Sequence, residues 1–211
     1  LELLCSVASD VPARVVGDSV RLNQVLLNLV GNAVKFTPAG HVALAVTREP
    51  GAPDGLVRLR FAVRDTGIGV SREDQENLFR PFSQGGGAGS RSLGGSGLGL
   101  AICQQLVSRM GGEVGFSSSV GEGSVFWFRV DLPHAEVPGG APAIPAGLAG
   151  LSVLLVDDHV VSREHLERQL RSWSMSVATA SGGEEALALA RARVAAGGGF
   201  DLALVDFRMP G

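Results

Sequence analysis

Residues 133–150 read PHAEVPGGAPAIPAGLAG. Proline removes backbone donors and glycine multiplies backbone freedom. A run rich in both, with no apolar period, continues neither a helix nor a strand. It reads as a linker. It leaves two parts, residues 1–132 and 151–211, and each must bury a core of its own. With 45% apolar residues there is material for both cores, and 18 basic against 21 acidic side chains leave no electrostatic footprint for nucleic acid. Cys5 and Cys103 are too far apart in sequence to suggest a disulfide scaffold or a zinc site, and they suit a reducing compartment. No apolar run approaches the ~20 residues that span a bilayer. The chain begins at Leu1 in an apolar stretch, without initiator Met or leader, and is expected to be a piece of something longer.

The N-terminal part mixes strands and helices. VPARVV (11–16) predicts a short strand. Asp18 is an N-cap for a helix to about Phe36, because Leu22, Val25, Leu26, Leu29, Val30, Ala33 and Val34 recur at helical spacing. Arg21, Gln24, Asn28, Asn32 and Lys35 fall on its other face. Alternation predicts strands over 41–48 and 56–65. Ser71 caps a short helix through about Phe79, and Leu98 to Met110 forms another. Strands 113–118 and 124–132 close the part as a hairpin around Gly121-Glu122-Gly123.

Three constellations in this part carry chemistry. Of the 18 basic residues one is Lys, and only four residues are Asn; Asn28, Asn32 and Lys35 lie within eight positions. On one helix face two amides can ligate Mg²⁺ or meet phosphate oxygens, and the Lys is a point charge for phosphate. The plain alternative is a solvated helix face. Next, Asp65-Thr66-Gly67-Ile68-Gly69 follows a strand directly. An Asp there can accept from an exocyclic amine while the glycines let the backbone approach a ligand; the alternative is an ordinary turn. Last, Gly94-Gly95-Ser96-Gly97-Leu98-Gly99-Leu100 runs into a helix, where N–H groups at a glycine-rich N-terminus make an anion site, and Gly85–Gly89 upstream suggests a mobile lid. No Lys-Ser/Thr follows these glycines, so this is not a Walker loop, and the dinucleotide fingerprint lacks its strand and acid.

In order and spacing, NQVLLNLVGNAVKFT (23–37), DTGIGV (65–70), LFRPF (78–82), GGSGLGLAIC (94–103) and GEGSVFWF (121–128) resemble the ATP-binding domain of sensor histidine kinases. That domain belongs to the wider family shared with DNA gyrase, mismatch-repair ATPases and heat-shock chaperones. The resemblance covers about residues 3–132. It implies an α+β two-layer sandwich, a mixed sheet against three helices, binding ATP and Mg²⁺. It implies that Asn32 ligates Mg²⁺ with Asn28 nearby, that Lys35 contacts phosphate, and that Phe36 packs near the base or ribose. Asp65 would receive the adenine amine, Gly67 and Gly69 would pass the base, and Phe79 and Phe82 would anchor the lid. Arg91 would reach the γ-phosphate, Gly95, Ser96, Gly97, Leu98 and Gly99 would wrap the triphosphate, and Ser124 would support the adenine site through water. The lid departs from the family's pattern: Gly85 to Ser90 are nearly all Gly, and Ser92 and Leu93 stand where a basic and an aromatic residue are frequent.

The C-terminal part alternates strand (151–156), helix (160–173), strand (175–179), helix (183–195) and a third buried strand (202–205), the start of a doubly wound, flavodoxin-like parallel sheet. Asp157 and Asp158 end the first strand and Asp206 ends the third, where functional groups of such sheets collect. Three clustered carboxylates repel unless a cation sits among them, and a hard divalent ion suits an all-oxygen pocket; the alternative is capping by Asp158 and a turn at Asp206. VDDHVVSR (156–163) with VDFRMPG (205–211) resembles the response-regulator receiver domain. That implies Mg²⁺ on Asp157, Asp158 and the Arg208 carbonyl, with Asp206 the phosphoacceptor.

Together the resemblances imply a hybrid sensor histidine kinase, cytoplasmic in this segment, with inner-membrane anchoring open for the full-length protein. None of His41, His134, His159 and His165 has the surroundings of a substrate His. The acceptor, and the homodimer interface, are therefore expected on a dimerisation domain upstream of Leu1, with a phosphotransfer or response-regulator protein downstream. Two rivals remain: an ATP hydrolase of the same fold, disfavoured because Asn28 stands where a water-activating carboxylate would be needed, and a non-catalytic ATP-binding scaffold. The receiver is read as truncated, three strands of five. Segment 151–211 alone is expected to be marginally stable; a cooperative thermal unfolding transition of that segment by circular dichroism would contradict this.

Overall fold

Asp18 opens the longest helix: its side chain accepts from the Arg21 N–H at 3.0 Å, and α1 runs Ser19–Phe36. Val25, Leu29 and Ala33, four apart, form its buried stripe. Thr37 ends it by turning its hydroxyl back to the Ala33 carbonyl at 2.7 Å. The computed structural model describes residues 1–83, 97–135, 147–207 and 209, in two compact units, Leu1–Pro138 and Gly139–Gly211. Arg91, Gly95, Ser96, the glycine run 85–89, linker residues 136–146 and Arg208 lie outside the described residues.

In the first unit α1 packs on a five-stranded sheet of β1 (Glu2–Val7), β2 (His41–Glu49), β3 (Leu56–Asp65), β4 (Glu113–Ser119) and β5 (Gly123–Pro133). The strand order is β1-β2-β3-β5-β4. β1 runs parallel to β2 and every other pair is antiparallel, so the sheet is mixed. α3 (Gly99–Arg109) packs beside α1 and against β4, and α2 (Arg72–Gln75) is a short helix in the connection after β3.

Alternation sorts the two faces of the sheet. Val57, Leu59, Val63, Phe128, Val130 and Leu132 point into the core, joined by Cys103, Leu106 and Val107 of α3. Phe61 and Phe128, register partners, stack with ring centroids 4.7 Å apart. The opposite face is charged. Arg58 grips Asp131 through two 2.7 Å hydrogen bonds, Glu49 lies 3.7 Å from both Arg60 and Arg129, and both of those guanidinium groups stand over Trp127.

The second unit is a parallel three-stranded sheet of order β7-β6-β8, from β6 (Ser152–Val156), β7 (Ser176–Ala180) and β8 (Leu202–Val205), with helices α4 (Val160–Ser172) and α5 (Gly183–Ala195). Val153 and Leu155 pack with Leu166 and Leu170 of α4, whereas Leu154 and Val156 pack with Ala186 and Leu189 of α5. The two helices therefore cover opposite faces of the central strand, which is why β6 is buried throughout.

Three expectations need correction. Residues 11–16 form no strand: Val15 makes only an isolated bridge to His134, and the edge strand is ELLCSV at 2–7. Pro12 removes a ladder donor from the first segment, while the second has the alternation a one-sided edge strand needs. The helix from Ser71 stops at Gln75 rather than Phe79, because Asn77 and Arg80 donate three residues back, to Asp74 and Asn77, and the chain continues as tight turns. β8 is exposed rather than buried, because it pairs only with β6 and stands at the sheet edge.

The core logic gives a contrast in stability. Phe128→Ala is expected to cost about 3–5 kcal/mol, whereas Leu27→Ala on the outer face of α1 should stay within about 0.5 kcal/mol. Urea unfolding of the whole chain checks both.

Candidate functional site

The polar face of α1 meets two neighbours. Asn28 lies against the start of α3: an added Cβ on Gly99 would stand 3.8 Å from Asn28 Oδ1, and the Asn28 amide reaches the Cys103 thiol. That thiol is fully buried, and burial pushes its pKa up to about 11. α3 begins after Leu98 with no side-chain cap bond, so its first N–H groups end beside Asn28. Asn32 and Lys35 are half-buried on the same helix, and Lys35 Nζ stands 4.9 Å from the centre of the Phe36 ring.

The loop after β3 closes on the end of α1. Gly67 has no room for a side chain, since a Cβ would fall 2.2 Å from the Phe36 carbonyl oxygen and 2.8 Å from Thr37 Oγ1. The Ile68 N–H donates to that same carbonyl at 3.2 Å. Gly69 takes a φ of +67°, where a Cβ would meet the Ser119 carbonyl at 2.0 Å. Asp65, only 5% exposed, ends β3 as the register partner of Ser124, and its Oδ1 accepts from the Gly67 N–H at 2.9 Å. Burial raises the Asp65 carboxyl above the ordinary aspartate value, while the N–H groups of Gly67 and Ser124 pull the other way. The result is a buried group with acceptor capacity to spare at the mouth of a glycine-lined loop.

Sequence reasoning missed the residues that hold this loop. Ser118 Oγ accepts from the Val70 N–H at 2.8 Å and lies 3.0 Å from Ser124 Oγ. Gln75 Nε2 donates to the carbonyls of Val70 and Ser118 at 2.9 and 3.2 Å. Together they tie residues 65–70 to the β4–β5 hairpin. The only hint was the serine run 117–119, polar where a strand would carry apolar alternation. Phe79 docks its ring 5.9 Å from Phe116, which stacks on Phe126. Phe82 does not pack: the residue is 75% exposed with φ +62°, and its N–H donates to the Gly97 carbonyl at 3.1 Å. Gly97 needs its own φ of +66° there.

In the second unit Asp157, Asp158 and Asp206 do converge. One ligand oxygen from each lies within 4.8 Å of the others, Asp157 buried and the other two exposed. Asp157 is held by α4: Oδ1 accepts from the His159 N–H at 2.8 Å, Oδ2 from Ser162 Oγ at 2.6 Å, and its carbonyl from the Arg163 guanidinium. Asp206 is placed by its own N–H, which donates to the Val156 carbonyl at 2.8 Å. Three hard oxygen donors in that spacing fit a divalent cation such as Mg²⁺.

Known proteins share both halves. Residues 17–134 match the family described as histidine kinase-, DNA gyrase B-, and HSP90-like ATPase, and residues 153–211 match the response regulator receiver domain. The sensor histidine kinase AruS of Pseudomonas aeruginosa is 45% identical over 190 residues, 90% of this chain and 18% of AruS. The sensory/regulatory protein RpfC of Xanthomonas campestris pv. campestris is 40% identical across the whole chain, which spans 32% of it. The crystal structure of full-length ShkA in complex with AMPPNP superposes with a TM-score of 0.70 at 37% identity, covering 89% of this chain and 36% of ShkA. The chain thus spans less than a third of the length of these two curated relatives. With the α1 face, the Asp65 loop and the carboxylate cluster each inside a matched segment, the chain belongs to the histidine kinase-, DNA gyrase B- and HSP90-like ATPases, and a response regulator receiver domain follows in the same chain.

Proposed function

We propose that the chain is the catalytic and receiver portion of a hybrid sensor histidine kinase. In this reading residues 1–132 are the ATP-binding domain, 133–150 the linker and 151–211 part of the receiver. The observation that carries it is the joint between α1 and the Asp65 loop, which sets a buried acceptor beside the helix that bears Asn28, Asn32 and Lys35. A carboxylate fed by backbone N–H groups accepts the exocyclic amine of adenine and rejects the guanine carbonyl at the same place. Phe36 flanks the base, and Gly67 and Gly69 let it pass. Asn28 and the first N–H groups of α3 would take phosphate oxygens, Lys35 would add charge, and Asn32 would hold Mg²⁺. Arg91, Gly95, Ser96, Gly97, Leu98 and Gly99 complete the phosphate side, and Ser124 and Phe79 support the base side.

The chemistry is phosphoryl transfer, in which the protein positions groups and neutralises charge. The bond from the γ-phosphorus to its bridging oxygen breaks and ADP leaves, while a bond forms to a ring nitrogen of a His on an upstream dimerisation domain. That P–N bond then breaks as an Asp206 carboxylate oxygen takes the phosphoryl group. Asp157, Asp158 and Asp206 would hold a Mg²⁺ ion, whose charge offsets that of the phosphoryl oxygens. Partners are therefore the upstream His-bearing domain of a homodimer and a phosphotransfer or response-regulator protein. Hydrolysis of ATP by this fold is disfavoured: Asn28 is an amide, a poor base. No helix among the described residues is long and apolar enough to cross a membrane, in keeping with a cytoplasmic placement of this segment.

Asp65 gives a two-sided test. Because its folded pKa is raised, the folded state holds its proton to higher pH than the unfolded chain does. The cost of charging it is absent below the unfolded value of about 3.9 and complete above the folded value. Asp65→Asn should therefore melt above wild type at pH 7.5, with the gap shrinking towards pH 4, while calorimetry shows Mg·ATP binding abolished. Unchanged ATP affinity in the variant, or no wild-type binding at millimolar ATP, would overturn the nucleotide assignment. For the second half, acetyl phosphate should label the wild-type chain on Phos-tag gels and leave Asp206→Asn unlabelled; equal labelling of both would remove Asp206 as acceptor.

A further inference from the structure

Asp157 is the one buried member of the carboxylate cluster, and it is held at four points. Its N–H donates to the Ala180 carbonyl at 3.1 Å, and its carbonyl accepts from Arg163. Its two carboxylate oxygens are engaged separately, Oδ1 by the His159 N–H and Oδ2 by the Ser162 hydroxyl at 2.6 Å. The backbone bonds place the residue; only the last two decide how the carboxylate plane is turned. Of these two donors the hydroxyl is the only side chain, so it is the part of the arrangement that the sequence can vary.

Ser162 is itself placed by the helix cap. His159 is the N-cap of α4, and its Nδ1 accepts from the Ser162 N–H at 3.3 Å. This sets Ser162 in the first turn with its Oγ directed back at Asp157. One donor on each carboxylate oxygen leaves each with a further lone pair for a cation. Asp158 and Asp206 are exposed and reach the same point from the rim, within the 4.8 Å spacing of the three ligand oxygens. A cation entering there finds one buried ligand already turned and two exposed ones at the rim. Outer-shell groups that orient a ligand in this way are as consequential for affinity as the ligands' own geometry.

We propose that Ser162 is a positioning residue for divalent-cation binding at Asp157, Asp158 and Asp206, acting by fixing the orientation of the Asp157 carboxylate. This rests on the receiver reading above. It adds a specific claim: the hydroxyl serves the cation site and is not merely part of the α4 cap. The cap bond comes from the Ser162 backbone N–H, which alanine retains, so the helix start survives loss of the hydroxyl.

The test is titration of the whole nucleotide-free chain with Mn²⁺, followed by electron paramagnetic resonance of the free ion, for wild type, Ser162→Ala, Ser162→Thr and Asp157→Asn. Melting is measured in parallel in chelator. Wild type should bind Mn²⁺ and Asp157→Asn should not. Ser162→Ala should bind at least about tenfold more weakly while melting close to wild type in chelator, and Ser162→Thr, which restores a hydroxyl, should recover the affinity. Wild-type affinity in Ser162→Ala would overturn the positioning role and leave the receiver reading standing, as would weakened binding that Ser162→Thr fails to recover. Absence of Mn²⁺ binding by wild type at tens of millimolar would overturn the receiver cation site, and the positioning role with it.

Discussion

The Phe36 carbonyl, at the last residue of α1, is approached so closely by Gly67 that no Cβ fits between them, and it accepts the Ile68 N–H. That single joint fixes where the sheet's functional loop lies relative to the helix bearing the polar face. A side chain at 67 would push the loop away from the helix and carry Asp65 with it. Thr37 supports the joint from the helix side, since its hydroxyl ends α1 on the Ala33 carbonyl and its Oγ1 is the second atom that excludes a side chain at 67. Ser118 and Gln75 support it from the hairpin side. The loop is thus clamped between two elements far apart in sequence, and glycine at 67 and 69 is what allows both clamps to close.

Much of this was legible because it is local. The Asp18 cap, the stripe of α1, the alternation of β3 and the glycines after Asp65 are each readable within a few residues, and they stand where the pattern puts them. The errors arose where partners decide. ELLCSV and VPARVV are both apolar hexamers, but ELLCSV has the alternation of an edge strand and pairs with β2, whereas Pro12 removes a donor from VPARVV. Leu202–Val205 has the composition of a buried strand, but its place in the sheet order leaves it exposed. Ser118 left only the faint hint of a polar run in a strand and Gln75 none, because their meaning is a pair of contacts across more than forty positions. Asn28 was legible as polar-face chemistry, yet nothing in its spacing announced the thiol of Cys103 on the other helix.

The two units place acids at strand ends and then treat their charge in opposite ways. Asp65 ends β3, Asp157 follows β6, and Asp206 follows β8. Asp157 and Asp206 thus stand at the carboxyl ends of parallel strands, where groups of such sheets collect, whereas Asp65 stays in register with Val42 and Ser124 at the end of an antiparallel strand. Asp65 stands with backbone N–H groups for company, so its burial is a standing cost, offset in part by two donors and relieved further by a ligand that brings a third. Asp157 is also buried, but two exposed carboxylates converge on it, and their mutual repulsion is relieved by positive charge rather than by a neutral donor.

The difference in ligand follows from that count of charges. One buried carboxylate that already accepts from two backbone N–H groups suits a further neutral hydrogen-bond donor. Three carboxylates, two of them open to solvent, select a small hard cation that can be entered and left from the rim. The ordering cost then falls unevenly. In the first unit it is met in the fold, through the α1 joint and the hairpin clamp, before any nucleotide arrives. In the second it is met for Asp157 by α4, while Asp158 and Asp206 bring exposed carboxylates to the same point. On the reading proposed above, in which Asp206 takes a phosphoryl group, its exposure at the rim leaves that carboxylate open to a donor while Asp157 stays buried beneath it.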